Sequence, residues 1–574
     1  MLYTVIKPNS YQDSVSLMLL TNKLSEMEGI RQISVMMGTP ANKDIFKNSG
    51  LLTPEVEAAN PNDICIVVDT EDEGLIDGVL KEADEFLQNQ ATKSQGSKLK
   101  TVRTLDSAVK ALSDANIAII SIAGQYAAQE AKKAVERGLH VFIFSDNVDL
   151  DAELELKTMA KQQGTLVMGP DCGTGIISGI PLAFANVVNE GNIGIVGASG
   201  TGIQEVTTQI ERLGGGISHA IGTGGRDLSE TISATTAIQA LEGLASDPNT
   251  DVIVLISKPP APEVKAKVVA VMKTLGKPVV AIFMGDRPLE QHDNISYAYT
   301  LEDTAIKAVE LAKSTSTAVI EEKEESIPQV EALKASGTQQ KLKGFYSGGT
   351  LAAEAAMLLA DAVGGHGDRE HKNGFMFHQD GHEIIDLGDD AYTQGRPHPM
   401  IDPRLRVDMI LEAARNPETA VILLDVVLGY GSHEDPAGAL IPAITKAISV
   451  AASEGRGLAV IASVCGTMND PQVYDEQVAK LKEAGVIVRG SNADAVRLAV
   501  SVIRELDPAA CQVPVAVGSE AVNNLLASKP KVINIGLRHF ADTVLKYGGQ
   551  VVQYDWSPIA GGNERLAKIL ALLK

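Results

Sequence analysis

Short runs dense in valine and isoleucine recur along the chain. Each is followed by a Gly/Asp/Asn/Ser/Pro turn and then by an Ala/Lys/Glu-rich stretch with helical periodicity. Asn116 to Ser121 leads to Gln125 to Arg137 and then to Val141 to Ser145. Val252 to Ser257 leads to Ala261 to Leu275 and then to Val279 to Phe283. Continuous apolar strands are buried on both faces, and their alternation with helices makes the sheets parallel. The pattern predicts an α/β fold of doubly wound sheets.

Where the rhythm breaks, it marks boundaries. Ser314-Thr315-Ser316-Thr317, the charge run Glu321 to Glu325 and the polar Ser336 to Gln340 read as an exposed linker, and the polar Gln88 to Lys100 as a surface decoration. At 574 residues the length prior gives roughly four domains. The expected bounds are 1–165, 166–315, a linker over 316–343, 344–525, and a small βαβα module over 526–574.

Composition narrows the function classes. With 50 Lys+Arg against 73 Asp+Glu the formal charge is −23, which disfavours nucleic-acid backbones and anionic lipid as partners. Four cysteines without a CxxC pair speak against a disulfide scaffold or a zinc knuckle, and for a reducing compartment. The start lacks the long uncharged core of a signal peptide, and no stretch approaches ~18 apolar residues free of charge. A cytoplasmic protein that binds neither nucleic acid nor membrane is expected.

Candidate chemistry gathers at strand ends. Gly197-Ala198-Ser199-Gly200-Thr201-Gly202 and Tyr346-Ser347-Gly348-Gly349-Thr350 each follow a strand-like run and open a helix-like one. Such a junction aims free backbone N–H groups and a positive helix end at one point, an anion site. Two of them could hold a phosphate or carboxylate from both sides. Ser199, Thr201, Ser347 and Thr350 are therefore candidate catalytic residues, with Gly200, Gly202, Gly348 and Gly349 as binding positions. Two further glycine loops, around Asp171, Cys172 and Gly173 and around Gly224, also end predicted strands, the edge where open α/β sheets bind ligands. Cys172 reads either as inert packing or as a participant. His366, His371, His378 and His382 with Asp368, Asp380 and Asp386 match no compact metal spacing, and no metal is expected.

GPDCGT, GNIGIVGASGTGIQE and GTGGRDLS resemble the α-subunit pattern of succinyl-CoA synthetases. Tyr346 to Leu351, Gly395 to Asp402, Val421 to Asp425 with Gly429-Tyr430-Gly431, and Lys482 to Ile487 resemble the carboxy-terminal half of the β-subunit. The resemblance implies a Rossmann-like, CoA-binding-type first domain and two flavodoxin-like domains after it, and adds Gly429, Tyr430 and Gly431 to the binding positions. DSVSLM, MMGTPANK, MGPDCGT, IIDLGDD, GRPHPMIDP and DWSPIAGGN together resemble the FdrA family over residues 13 to 563.

Two departures from the ligase pattern stand out. The phosphohistidine setting is missing, since the nearest histidine, His292, has polar neighbours and no flanking glycines, and there is neither an ATP-grasp domain nor a GxxxxGK[ST] loop. FdrA-like proteins resemble a component of oxamate carbamoyltransferase in allantoin degradation. This implies a subunit that works with companion subunits on a small anionic substrate, phosphorolysing carbamoyl-oxamate to oxamate and carbamoyl phosphate. Phosphate or carbamoyl phosphate would be the ligand, with no cofactor required and CoA an open possibility in the first domain. Arg396, next to His398 in a proline-flanked segment, would clamp a carboxylate or carbamoyl phosphate by its planar fork, or else pair with Asp402 or Asp390. An acyl-CoA ligase subunit lacking its nucleotide domain, and a non-catalytic phosphate-binding scaffold, remain the alternatives.

Overall fold

The computed structural model describes residues 1–557 apart from 11, 13, 26, 96–99, 288–291, 314–332, 334–338, 364–371, 394–396, 504–523 and 526. Arg396, His366, His371, Asp368 and most of the expected linker lie outside the described residues, while its last residues, Lys341 to Lys343, belong to the inner strand Lys341–Tyr346 rather than to a linker. Leu333, the one described residue of the 316–338 stretch, is buried in a core.

Two sheets carry the doubly wound pattern in the same strand order. The second-domain sheet runs Ile217–Gly222, Glu190–Gly197, Val252–Ser257, Val279–Phe283, Ile295–Tyr297. The third-domain sheet runs His382–Asp386, Lys341–Tyr346, Thr419–Val427, Ala459–Cys465, Ile487–Arg489. Numbered along the chain, both are 2-1-3-4-5, the flavodoxin-like order, in which the crevice beside strand 1 is the switch point. Each is extended past its second strand by antiparallel pairing, Thr174–Ile177 with Ile180–Ala183 in one and Phe375–Gln379 in the other. Buried aliphatics fill both faces, as the continuous apolar runs require. The helix Pro436–Ser453 is long and apolar, yet it packs into the third domain's core through Ala437, Leu440 and Ile444.

The first 165 residues are not one Rossmann-like domain. Leu2–Lys7, Ile64–Thr70 and Ile30–Met37 form a separate three-stranded antiparallel sheet. Its central strand reads as a continuous apolar run because both of its faces are covered. Ile64, Ile66 and Val68 pack with Leu17, Leu20 and Leu24, while Cys65 and Val67 pack with Phe46 and Val56. Continuous apolarity reports two-sided burial, not parallel pairing.

The terminal segment is likewise not a module of its own. Its strands Lys531–Gly536 and Gln550–Tyr554 lie inside a six-stranded parallel sheet, in the order Thr101–Val102, Gln550–Tyr554, Lys531–Gly536, Ile117–Ser121, His140–Ile143, Val167–Met168. This Rossmann-like sheet is thus assembled from both ends of the chain. Val532 faces one core and Ile533 and Ile535 the other, and all three are fully buried.

Candidate functional site

The switch points of the two flavodoxin-like sheets face each other. Ser199 caps the helix Gly200–Arg212, its Oγ accepting from Gly202 N–H at 3.0 Å. Its hydroxyl also hydrogen-bonds that of Thr350, at the start of the helix Gly349–Val363. Thr350 N–H in turn donates to Thr201 Oγ1 at 3.4 Å. The approach leaves no room for side chains: a Cβ on Gly348 would lie 3.1 Å from Thr201 Cβ, and one on Gly202 would lie 3.2 Å from Thr350 Cγ2. Ser199, Gly200, Thr201, Gly202, Gly348, Gly349 and Thr350 are therefore brought together. Gly173 and Thr174 join them, since a Cβ on Gly200 would meet Thr174 Oγ1 at 3.1 Å and Gly173 Cα at 3.8 Å.

The two turns are not equivalent. In the third domain, Ser347 N–H and Gly348 N–H both donate to the Asp425 carboxylate at 2.8 Å, and Ser347 Oγ donates to it at 3.0 Å. Arg406 Nη2 completes the cluster at 3.0 Å, and both charged groups are buried. The protein's own carboxylate thus fills half of the anion cradle expected there, and Ser347 serves it. Gly200, Thr201 and Gly349 keep N–H groups with no protein acceptor among the described residues. Thr174 Oγ1 beside them is buried and also lacks a partner.

Carboxyl groups line the junction. Asp171 is exposed to solvent yet has protein packed closely around its carboxyl. That desolvation, with Asp146 and Asp390 nearby and Lys258 and Arg226 opposing, pushes its carboxyl up to about 6. Asp386 is buried against Gly349, where a Cβ would lie 2.4 Å from its Oδ2. Burial raises it to about 7 despite the Gly388 N–H it accepts at 2.8 Å and the nearby charge of Lys258. Neither Lys258 nor Asp425 is singled out by the sequence reading, although both stand at or near the ends of predicted strands, the edge that reading already favoured.

Other sequence-predicted positions have structural duties. Cys172 is packed beneath the loop, where burial drives its thiol up to about 12 and so disfavours the thiolate a nucleophile needs. Gly224 has φ +83°, and a Cβ there would lie 2.2 Å from Pro170 O, so it locks two loops together. The buried Lys157 bridges Asp227 (2.7 Å) and Glu153 (2.9 Å), anchoring the same loop to the Rossmann-like sheet. Gly429 and Gly431 press against Ala185 and Phe184, and the Tyr430 hydroxyl takes Lys546 at 2.7 Å and Tyr547 at 3.0 Å. That loop fastens the third domain to its neighbours. His398 is pulled down to about 4 by desolvation, and its Nδ1 accepts Met400 N–H at 3.3 Å. Asp402 pairs with Arg404 and accepts from Asn22 of the N-terminal domain at 2.6 Å.

His292 stands at the wrong end for a phosphohistidine. It bridges to Ile295, where the fifth strand begins. In this parallel sheet strand beginnings share the edge opposite to the Ser199 turn.

Two stretches of the chain are similar to proteins of the CoA-ligase type. Residues 345–502 match the family described as CoA-ligase, and residues 188–285 the CoA binding domain family. Subunit alpha 2 of the ADP-forming succinate–CoA ligase from Archaeoglobus fulgidus is 26% identical over 243 residues, 39% of this chain and 82% of that one. The chain belongs to the family of the uncharacterized protein YahF from Escherichia coli K12, with 42% identity over 497 residues, 85% of this chain and 96% of YahF. Among solved structures, ATP citrate lyase from Methanothrix soehngenii, in complex with citrate and coenzyme A, is 12% identical. The match covers 78% of this chain and 86% of that one, with a TM-score of 0.31.

Residues 1–103 match a family described as AllF, heavy metal-associated domain. The residues do not supply a Cys/His metal site. This stretch contains one cysteine, Cys65, and no histidine. Cys65 lies in the core, where burial pushes its thiol up to about 11.

Proposed function

We propose that the chain is a subunit of a carbamoyl-transferring enzyme, of the oxamate carbamoyltransferase type, that moves a carbamoyl group between an amide nitrogen and phosphate. The observation behind this reading is a junction where the amides of Gly200, Thr201 and Gly349 have no acceptor among the described residues, with His292, the nearest histidine to the expected phosphohistidine stretch, on the far edge of its sheet. The amides would cradle phosphate and steady the tetrahedral oxyanion formed when a phosphate oxygen attacks the carbamoyl carbon. As the C–O bond forms, the C–N bond to oxamate breaks and the leaving nitrogen takes up a proton. A carboxyl held near 7, as at Asp386, is suited to deliver it. Phosphate is the one co-substrate this needs, and companion subunits would complete the enzyme.

A second reading is an acyl-CoA ligase subunit that borrows a nucleotide-binding partner. It is favoured by the CoA-binding match across residues 188–285, which includes the Ser199 turn, whose free amides would also suit a phosphate oxygen of coenzyme A. The test is to purify the chain with its co-expressed companion subunits and supply carbamoyl-oxamate with phosphate. Carbamoyl phosphate should form without coenzyme A, and no acid-labile phosphoprotein should accumulate. CoA-dependent phosphate release with such a phosphoprotein would replace the transferase reading with the ligase one.

A further inference from the structure

The strand Val252–Ser257 runs beside the open turn. Gly197 pairs with Ile256, and Ala198 N–H donates to the Ile256 carbonyl at 2.9 Å. The residue that follows is Lys258, and Pro259 and Pro260 after it restrict the backbone. This is the crevice between strands 1 and 3 where the strand order reverses. Lys258 is exposed, and its ammonium makes no hydrogen bond or ion pair among the described residues. It nevertheless lies close enough to act electrostatically on Asp171, from the loop after the Rossmann-like sheet, and on Asp386, from the third domain. A lysine that stops short of two carboxylates in so acidic a chain has its charge available to something else.

We propose that Lys258 is the cation that binds the substrate's oxyanion, completing with the amides of Gly200, Thr201 and Gly349 and the buried Thr174 hydroxyl a cradle built across two domains. The helix start supplies N–H groups, Thr174 supplies an unpartnered hydroxyl beside Gly200, and Lys258 supplies the full charge. As a compact point charge on a flexible stem, an ammonium follows a phosphate through a reaction better than a rigid fork does. This role rests on the transferase reading above and names the group that takes the charge of its substrate.

The experiment is calorimetric titration of the full chain with inorganic phosphate and, separately, with oxamate. Lys258→Met and Lys258→Arg are compared with the parent, and melting is followed by circular dichroism. Lys258→Met should weaken binding by about tenfold or more, Lys258→Arg should retain most of it, and melting should move little, because the exposed side chain makes no hydrogen bond or ion pair among the described residues. A loss confined to phosphate places Lys258 on the transferred phosphate, and a loss confined to oxamate places it on the carboxylate of the acid; either supports the proposal. Unchanged affinity for both anions in Lys258→Met, or a parent protein that binds neither, overturns it. Binding is read here without turnover. A complex that binds phosphate through Lys258 yet forms no carbamoyl phosphate would refute the transferase reading and leave this assignment standing.

Discussion

Asp425 holds the Ser347 turn closed, and removing its carboxylate should open that turn at a measurable cost. Four donors converge on it: Ser347 N–H and Gly348 N–H at 2.8 Å, Ser347 Oγ and Arg406 Nη2 at 3.0 Å. Asp425 is fully buried and Arg406 is 3% exposed. In Asp425→Ala the amides and hydroxyl lose their acceptor, but the dominant penalty is a guanidinium left buried without its counter-charge. Stranding one partner of a buried pair costs about 3–5 kcal/mol. Arg406 keeps backbone acceptors at Phe345 O and Asp425 O, 3.1 and 2.6 Å away, which argues for the lower half of that range.

The loss is to be read from urea unfolding followed by far-ultraviolet circular dichroism. Trp556, the single tryptophan, lies in the Rossmann-like core and would report the wrong sheet. The void has the shape and charge preference of a small carboxylate, so formate should bind there and restore stability. At ten times its dissociation constant it would return about 1.4 kcal/mol, with no comparable effect on the parent. A destabilisation below about 1 kcal/mol, or equal formate effects on both proteins, would mean that Asp425 does not occupy the cradle in the way described.

Two further outcomes follow from the same geometry. Binding of sulfate, whose charge is constant near neutrality, should strengthen by roughly tenfold between pH 8 and pH 5.5, the size expected for removing a nearby like charge. Asp386 (near 7, facing Lys258, Asp389 and Asp425) and Asp171 (near 6, facing Lys258, Arg226, Asp146 and Asp390) carry negative charge above those values and lose it below them. A calorimetric profile that is flat or rises with pH would contradict this. A chain ending at residue 525 loses two inner strands, one of them the neighbour of Ile117–Ser121, and should be insoluble or lack protected amides over 101–168 by hydrogen exchange; native-like protection there would refute the shared sheet.

Much of the architecture is local in origin and was legible for that reason. Parallel sheets covered by helices follow from alternating apolar runs and helices, the flavodoxin-like architecture was what the family resemblance implied, and the glycine turns mark the points where strand becomes helix. What the sequence hid was non-local. Nothing in Lys531–Gly536 states that its neighbour in the sheet is Ile117–Ser121, some four hundred positions earlier. Likewise, Ile64–Thr70 reads like an inner parallel strand because helices cover both of its faces. At the site, the residue types that bind anions were visible, but not which of them were already satisfied. Ser347 and Gly348 look as open as Ser199 and Gly200 until Asp425 is placed against them.

That asymmetry turns on one position. In the second-domain sheet the third strand puts Ile256 opposite Gly197, and the next amide, that of Ala198, donates to the Ile256 main-chain carbonyl. In the third-domain sheet Phe345 pairs with Leu424, so Asp425 comes opposite Tyr346, and the next amide, that of Ser347, donates to the Asp425 side chain. With an apolar residue at this place the strand satisfies only the Ala198 amide; with a carboxylate there the Ser347 and Gly348 amides are both satisfied, and Thr350 N–H is taken by Thr201 Oγ1. A duplicated scaffold therefore carries one open turn and one closed turn. On the proposed reading an incoming anion would be drawn to the Gly200 side, since on the Ser347 side Asp425, paired with Arg406, already occupies the amides and Asp386 lies beside Gly349. Only Gly349 N–H remains to reach across from the third domain. On that reading the second turn would act mainly as a wall that fixes where the anion stops, which separates the contributions of two motifs that look interchangeable in sequence.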